Sequence, residues 1–496
     1  MISRVAEGGR GKLRRKGTTV DERMKPRSDR VTRAAYVVTL AIGWTAMLVA
    51  NLPGHLTVDS VLELLEGRVR VRQSWAPAFY AWVLGAFDAV WRGTGLYVAM
   101  SALLLFAALA SLPWLRGRTS RWAVVAAALF GLSPLVLIYQ AIVWKDVLFA
   151  NTSIAGAICL AWALQRWEAR RARIALLLAA LALFAAAALL RQNGVVVGAL
   201  AAVALGWARF QARPATVAGA RRRRGLAWSF AGVAAVVALS HALNLATQPP
   251  GPRGQGDGIG EGLRMLQSYD LFAAVTVAPD FPLPAIGRAA PAAAATLRSL
   301  APKYYSPERI DFAEGQPQIA AAMRAVPAEA IAADWRAFIL QRPIAYLQAR
   351  AQAFRWVFLT PQIERCVPVC LGVQGPQETL DDLGMPYRWS AQDERLLGYV
   401  RAFQHTPVYS HLAYALLALG VAAALMLRRE PADLAMIALM AGALGFAASF
   451  FVISIACDYR YLYFLDLAAM AGLLYVAVDP PGAGGVGGRS VGKDRV

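Results

Sequence analysis

The chain has 496 residues, of which 58% are hydrophobic and only 17% charged, against about 25% charged in an ordinary soluble protein. A soluble domain has no use for that much apolar material, so a soluble enzyme or binding module is excluded. The formal net charge of +20 would suggest nucleic acid in a soluble protein; here the basic residues lie between apolar runs and in the tails, where they read as topology signals, and no nucleic-acid partner is expected.

Residues 1–33 form a basic tail carrying Arg14, Arg15, Lys16, Lys25, Arg27, Arg30 and Arg33. The first apolar run, 34–52, is too long for a signal-peptide core and lacks a small-residue cleavage site, so it reads as a signal anchor with the N-terminus in the cytoplasm. A spanning helix needs about 20 apolar residues. The runs 94–114, 122–139, 147–165, 174–190, 194–209, 226–245, 409–427, 432–453 and 461–478 meet that need. The stretch 76–91 does not: it is short, has Pro77 and Asp88, and ends at Arg92-Gly93.

Parity supports leaving it out. With about ten spans, the cytoplasm receives Arg116, Arg118 and Arg121, the 166–173 loop, the 209–224 loop with Arg221 to Arg224, Arg428-Arg429, and a tail with Arg489, Lys493 and Arg495. That is the positive-inside pattern, and one extra span at 76–91 would invert it. The stretch is therefore predicted to be a helix on the outer membrane surface, apolar through Phe79, Trp82, Val83 and Phe87.

The fold class that follows is an all-α polytopic membrane protein with one mainly helical extracytoplasmic domain. Its parts are the cytoplasmic tail 1–33, a transmembrane module 34–245 with a first outer loop 53–93, an outer domain 246–408, C-terminal transmembrane helices 409–478 and a cytoplasmic tail 479–496. The outer domain opens on a Gly/Pro stretch, 249–262. Helical patterns follow at 289–301 and 318–360, the second broken at Arg342-Pro343. A segment of this length can bury a modest core of its own. Cys159 and Cys457 lie in or beside apolar runs and read as packing residues. Cys366 and Cys370 sit in a polar segment and are placed to pair in an oxidising compartment. The Ala, Arg and Gly bias points to a bacterium with GC-rich DNA, hence the inner (plasma) membrane.

Four polar clusters interrupt this apolar background: His55, Asp59, Ser60, Glu63 and Glu66; Trp144-Lys145-Asp146; Arg191-Gln192-Asn193; and Asp458-Tyr459-Arg460-Tyr461. A charge near hydrocarbon costs a few kcal/mol unless it is paired or faces water, so these are functional candidates. Plainer readings stand beside them. Arg191 and Arg460 would be interfacial anchors that snorkel, Lys145-Asp146 a local ion pair ending a helix, Asp59 the N-cap of a helix 60–67, and Glu63 and Glu66 water-facing. Against these, the topology sets all four clusters at one membrane level. Cations hold phosphate, and a carboxylate holds a metal or takes a proton from an attacking hydroxyl.

This arrangement resembles the GT-C glycosyltransferases, multi-span enzymes that use polyprenyl-phosphate-linked sugars at the outer membrane face. More closely, it is similar to an uncharacterised bacterial branch of that superfamily. The resemblance rests on Leu52-Pro53-Gly54 with Asp59-Ser60, Trp75-Ala76-Pro77, Val143-Trp144-Lys145-Asp146-Val147, Arg191-Gln192-Asn193-Gly194 and Arg460-Tyr461-Leu462-Tyr463. In the outer domain it adds Tyr269-Asp270-Leu271, and Arg342 to Leu347 with Arg350. It covers most of the membrane portion and part of the outer domain. The first loop has one Asp where the family carries paired acids, and Ala76 stands where relatives often have His, leaving His55 as a candidate for that role.

The resemblance implies transfer of a hexosyl or pentosyl group, with inversion, from a polyprenyl-phosphate donor in the membrane lipid to a glycan, lipid or protein acceptor. Asp59 and Asp146 are the implied catalytic carboxylates, Asp59 as the general base or a residue orienting the acceptor, and both are candidate ligands of a divalent cation, Mg or Mn. Lys145, Arg191, Asn193, Arg460, Tyr461 and His55 are the implied substrate and phosphate ligands, with Asp146 orienting Lys145 or binding the metal. The rival classes are a transporter or flippase of lipid-linked precursors, an O-antigen-type ligase or polymerase, and a non-catalytic scaffold. A transporter should carry polar groups along a path through the bilayer midplane, and the span interiors here are mostly apolar.

Overall fold

The structure, a computed structural model, describes residues 21–71, 77–211, 218–249 and 258–480. Within hydrocarbon a chain must satisfy its own backbone hydrogen bonds, so apolar runs of this length become helices. In chain order these are α1 (Asp21–Asn51), α2 (Val58–Val69), α3 (Ala78–Val90), α4 (Gly95–Ala110), α5 (Arg121–Leu132), α6 (Lys145–Gln165), α7 (Arg170–Leu190), α8 (Val195–Gln211) and α9 (Ala218–Thr247). The outer segment supplies α10 (Gly258–Val277), α11 (Pro291–Tyr304), α12 (Pro317–Ala325), α13 (Ala328–Gln341), α14 (Pro343–Leu359) and α15 (Ala391–Phe403). Three more close the bundle: α16 (His411–Arg428), α17 (Asp433–Ile453) and α18 (Tyr463–Val478). Only isolated β-bridges occur among the described residues.

Nine helices among the described residues are long and apolar enough to cross a membrane, and a tenth crossing forms if Arg121–Leu132 and Pro134–Ala141, bent by 62°, are one span. The bend falls at Pro134, whose ring removes a backbone donor. Each crossing coincides with a run read from the sequence. The helix Ala78–Val90 is a shorter apolar helix. Its apolar side differs from the expected one: Phe79 turns inward with Tyr80 and Leu84, while Trp82, Val90 and Trp91 are exposed. Two breaks differ as well. The 318–360 pattern is also interrupted at Val326-Pro327, and Arg221 to Arg224 lie inside α9 rather than in a loop. The tail residues 1–20 and 481–496, and Trp75-Ala76, lie outside the described residues.

The helix ends sort into two sets. At one, Arg116 bonds Glu430 and Asp479, each at 2.7 Å, Arg428 bonds Asp433 at 2.6 Å, and the Ser120 N–H donates to the Val478 carbonyl at 2.9 Å. This is the end with the basic loops. At the other, the backbone at His55 pairs with Ala141 and Val143, and that at Leu56 pairs with Gly372 and Gln374. In their most apolar 18-residue stretches, 89% of the residues of α6 and 78% of those in the span Tyr459–Val478 are buried, against only 6% in the span Gly219–Thr247. The first two are the centre of the bundle and α9 is its lipid-facing margin. Residues 269–353 gather a second hydrophobic cluster, including Phe272, Phe281, Ile319 and Phe338.

The helices α2 and α3 cross at two glycines. A Cβ on Gly67 would run into the Ala81 carbonyl, and one on Gly85 into the Gly67 carbonyl. The crossing is fastened by Arg68 on Asp88 at 2.8 Å, with Arg92 on the same carboxylate at 2.9 Å. Those two cations and the Gly93 N–H outweigh burial and hold the Asp88 carboxyl below its usual range. We expect Gly85→Leu to lower stability by about 1–3 kcal/mol through overpacking, read as a lower thermal midpoint in detergent.

Candidate active site

The site is built from the first turn of α2 outward. Thr57 is the N-cap: its side chain accepts the Ser60 N–H in a capping box. Asp59 therefore does not cap this helix, and its carboxylate is free for other partners. Asp59, Glu63 and Glu66 follow at i, i+4 and i+7 and share one face. Glu63 and Glu66, expected to face water, are 2% and 4% exposed. They are turned in because the face that carries them packs against the α6 entry and α3 rather than against solvent.

Four cations meet four carboxylates here. Arg460 Nη2 donates to Asp59 Oδ2 at 2.7 Å, and Lys145 Nζ to Glu63 Oε1 at 3.0 Å. Arg191 Nε donates to Asp146 Oδ1 at 2.6 Å, and Arg309 Nη2 to Asp458 Oδ1 at 2.6 Å. Aromatic rings join the pairs. The Arg460 guanidinium lies over Trp144 at 5.0 Å, and that of Arg191 over Tyr461 at 5.2 Å. Trp144 Nε1 donates to Thr57 Oγ1 at 3.2 Å, tying the α6 entry to the α2 cap. Asp146 Oδ2 and Arg460 Nε are buried and make no hydrogen bond. Asp146 holds Arg191 rather than orienting Lys145, and Lys145 pairs across to α2 rather than with its neighbour, so it opens α6 instead of ending a helix.

The two α2 acids are pushed apart. Burial raises the Asp59 carboxyl, but Arg460, then Lys145 and Arg191, outweigh it and hold it below the usual aspartate range. Burial dominates at Glu63 and pushes it above the usual glutamate range in spite of Lys145. The site also lies at the N-termini of the central helices: Lys145 opens α6, and Arg460 sits in the Tyr459–Leu462 3₁₀ turn that leads into α18. Helix N-termini carry a partial positive charge that favours anions.

Two sequence candidates stand apart. His55 is 1% exposed and bonded on both ring nitrogens: Nε2 meets Asn51 Oδ1 at 2.9 Å, and Nδ1 accepts the Gly372 N–H at 3.0 Å. Burial lowers it to about 4 in spite of Asp393, so the ring is neutral and locks the first loop to residue 372 through the Gly372 N–H. Asn193 Nδ2 donates to Ser449 Oγ at 2.8 Å and braces the Arg191 turn against α17. Glu63, a member of the first polar cluster but not of the implied ligands, and Arg309, outside every cluster, join the site. The four-residue spacing from Asp59 was the available signal for Glu63; nothing local marked Arg309, which arrives from the outer domain.

The cysteine expectation is corrected. Cys366 pairs with Cys457, 91 residues away, and Cys370 is a free thiol. Cys370 is only four residues from Cys366, but the link after α17 brings the Cys457 Cα to 5.0 Å from that of Cys366. Burial pushes the Cys370 thiol up to about 11. The disulfide fixes the residue before Asp458, so Cys366→Ser should lower stability by about 2–4 kcal/mol and raise hydrogen exchange across 457–461.

Asp59 and Asp146 do not fit a divalent ion in this arrangement. Each carboxylate is bound by an arginine, and among the described residues no three His, Cys, Asp or Glu side chains gather as ligands. A small open cleft lies further along the α2 acid face, lined by Glu66, Arg70, Trp82, Thr247 and Pro249. Seven residues of helix, about 10 Å, separate Glu66 from Asp59.

No known protein family matches the sequence, and no curated protein does. Among solved structures, the crystal structure of ArnT from Cupriavidus metallidurans in the apo state aligns over 89% of this chain and 77% of its own, at 14% identity and a TM-score of 0.30. A likeness of that size carries no argument about fold or chemistry, so the site is read from its own geometry.

Proposed function

We propose that this chain is an integral membrane glycosyltransferase of the GT-C type, moving a hexosyl or pentosyl group from a polyprenyl-phosphate donor to a hydroxyl of a glycan, lipid or protein acceptor. One observation carries the reading: Asp59, Glu63, Lys145, Asp146, Arg191 and Arg460 come from four separate elements to one charge-balanced cluster at the end of an otherwise apolar bundle.

The ion pairs are the resting state. An incoming phosphate competes for Arg460 and Arg191, which bind phosphate oxygens as bidentate forks. Drawing Arg460 away frees Asp59, and its carboxylate then becomes a stronger base. The acceptor O–H bond breaks as its oxygen bonds to the anomeric carbon, and the proton goes to Asp59. The bond from that carbon to the phosphate oxygen breaks, and the electron pair leaves on the lipid phosphate. Lys145, Arg191 and Arg460, with the helix N-termini, stabilise the charge that develops there. No step needs a metal ion.

The Cys366–Cys457 disulfide supports setting the cluster on the extracytoplasmic side, since disulfides persist in oxidising compartments, and the basic loops at the opposite end agree with that orientation. The test is a purified preparation in proteoliposomes with radiolabelled hexosyl and pentosyl polyprenyl phosphates. Acceptor-dependent release of the lipid phosphate is expected. Movement of intact donor across the bilayer, with no cleavage of any donor, would instead make the chain a flippase.

A further inference from the structure

The helix α14 is inside out for a helix on a water-soluble domain. Its buried side carries Arg350 with the small residues Ala349 and Ala353. Its outward side carries Ile344 and Leu347 near the start, Ala351 in the middle and Leu359 at the end, on one face at 100° per residue, with the exposed Gln348 and Arg355 between them. Ile344 is 72% exposed and Leu347 52%, and Leu340, one turn earlier on α13, is 79% exposed. A water-facing surface rarely gathers such residues without a partner.

The helix is fastened to the end of a span. Arg350 Nη1 donates to the Val452 and Ser454 carbonyls at 2.9 and 2.8 Å, the residues at which α17 ends. Phe354 packs edge-on against Phe451 at 5.9 Å. Val452 and Ile453, beside those contacts, are themselves exposed, as lipid-facing residues at the end of a span should be. The exposed end of the α17 span thus adjoins α14.

We propose that α14 is an interfacial helix: the outer domain lies down on the bilayer through Leu340, Ile344, Leu347 and Leu359, which enter the boundary between headgroups and acyl chains. Arg355, exposed on the same face, reaches back to lipid phosphates along its apolar stem. This stands apart from the proposed chemistry and holds whether or not the chain is an enzyme. Its consequence is a domain restrained in tilt as well as in position, so that α14 does not lift away while Arg350 and the disulfide hold the 452–457 link.

The experiment places a nitroxide on single cysteines at Ile344→Cys and Leu347→Cys in full-length protein lacking the free thiols Cys159 and Cys370. The protein is reconstituted in phosphatidylethanolamine and phosphatidylglycerol vesicles. Leu178→Cys on α7, exposed on a span, and Arg395→Cys on α15, exposed on the outer domain, are the references. Collisions with oxygen, which concentrates in hydrocarbon, are compared with those of a water-soluble nickel chelate. The oxygen-to-nickel ratio at 344 and 347 should approach that at 178 and exceed that at 395. A ratio equal to that at 395 would overturn the proposal. So would labels shielded from both reagents, which would mean that another protein surface covers this face.

Discussion

Asp59→Asn should lower sugar transfer by about 10²–10⁴-fold, the usual contribution of a positioned general base, while the protein stays folded. The amide has the shape of the carboxylate but takes no proton, and α2 does not depend on it because Thr57 supplies the cap. The pH profile separates Asp59 from its neighbour. The Asp59 carboxyl lies below its ordinary range and Glu63 above its own. With Asp59 as the base, the acid limb of kcat/KM in the free enzyme falls below the ordinary carboxylate range; a limb above that range assigns the base to Glu63. The stability linkage has the same sign. A depressed carboxyl pKa stabilises the fold above the unfolded value, and that gain is lost as pH falls through the folded one. Full transfer by the Asn variant would remove Asp59 from the chemistry.

The spans were legible because hydrocarbon imposes a strong rule: about 20 apolar residues, with positive charge to one side. That rule also excludes 76–91 as a span, since a span there would reverse every loop, and a 13-residue helix, Ala78–Val90, stands in that stretch. The meeting of Asp59, Lys145, Arg191 and Arg460 followed from parity, since each lies at a helix end on the same side. The partners within the cluster were not legible. Lys145 and Asp146 adjoin in sequence yet pair with Glu63 and Arg191, because successive residues on a helix point about 100° apart. Cys366 chose Cys457 over its neighbour for a related reason: proximity in sequence says little about which loops a folded outer domain lays against the bundle. His55 reads from the sequence as a candidate substrate ligand, yet it is buried and held by Gly372, more than 300 residues away.

Arg350→Met should cost about 3–5 kcal/mol, the loss expected when one partner of a buried ion pair is removed. Arg350 and Asp270 are each 1% exposed as side chains. Asp270 also accepts from Trp335 Nε1 at 2.8 Å, and burial holds its carboxyl above the usual range against the pull of Arg350. Without the guanidinium, a carboxylate and the Val452 and Ser454 carbonyls lose their charged donor together. The thermal midpoint in detergent should drop at neutral pH, and the deficit should shrink in acid as Asp270 protonates and no longer needs a counter-charge. Arg350→Met with Asp270→Leu should recover much of the midpoint, because a packed apolar pair replaces a stranded charge. The double variant also separates stability from positioning. Arg350 holds the link that continues through Cys457 and Asp458 to Arg460, so a protein restored in stability but still poor in transfer would show that the ion pair sets the depth of Arg460 beside Asp59. Recovery of both would mean that the pair serves the fold alone.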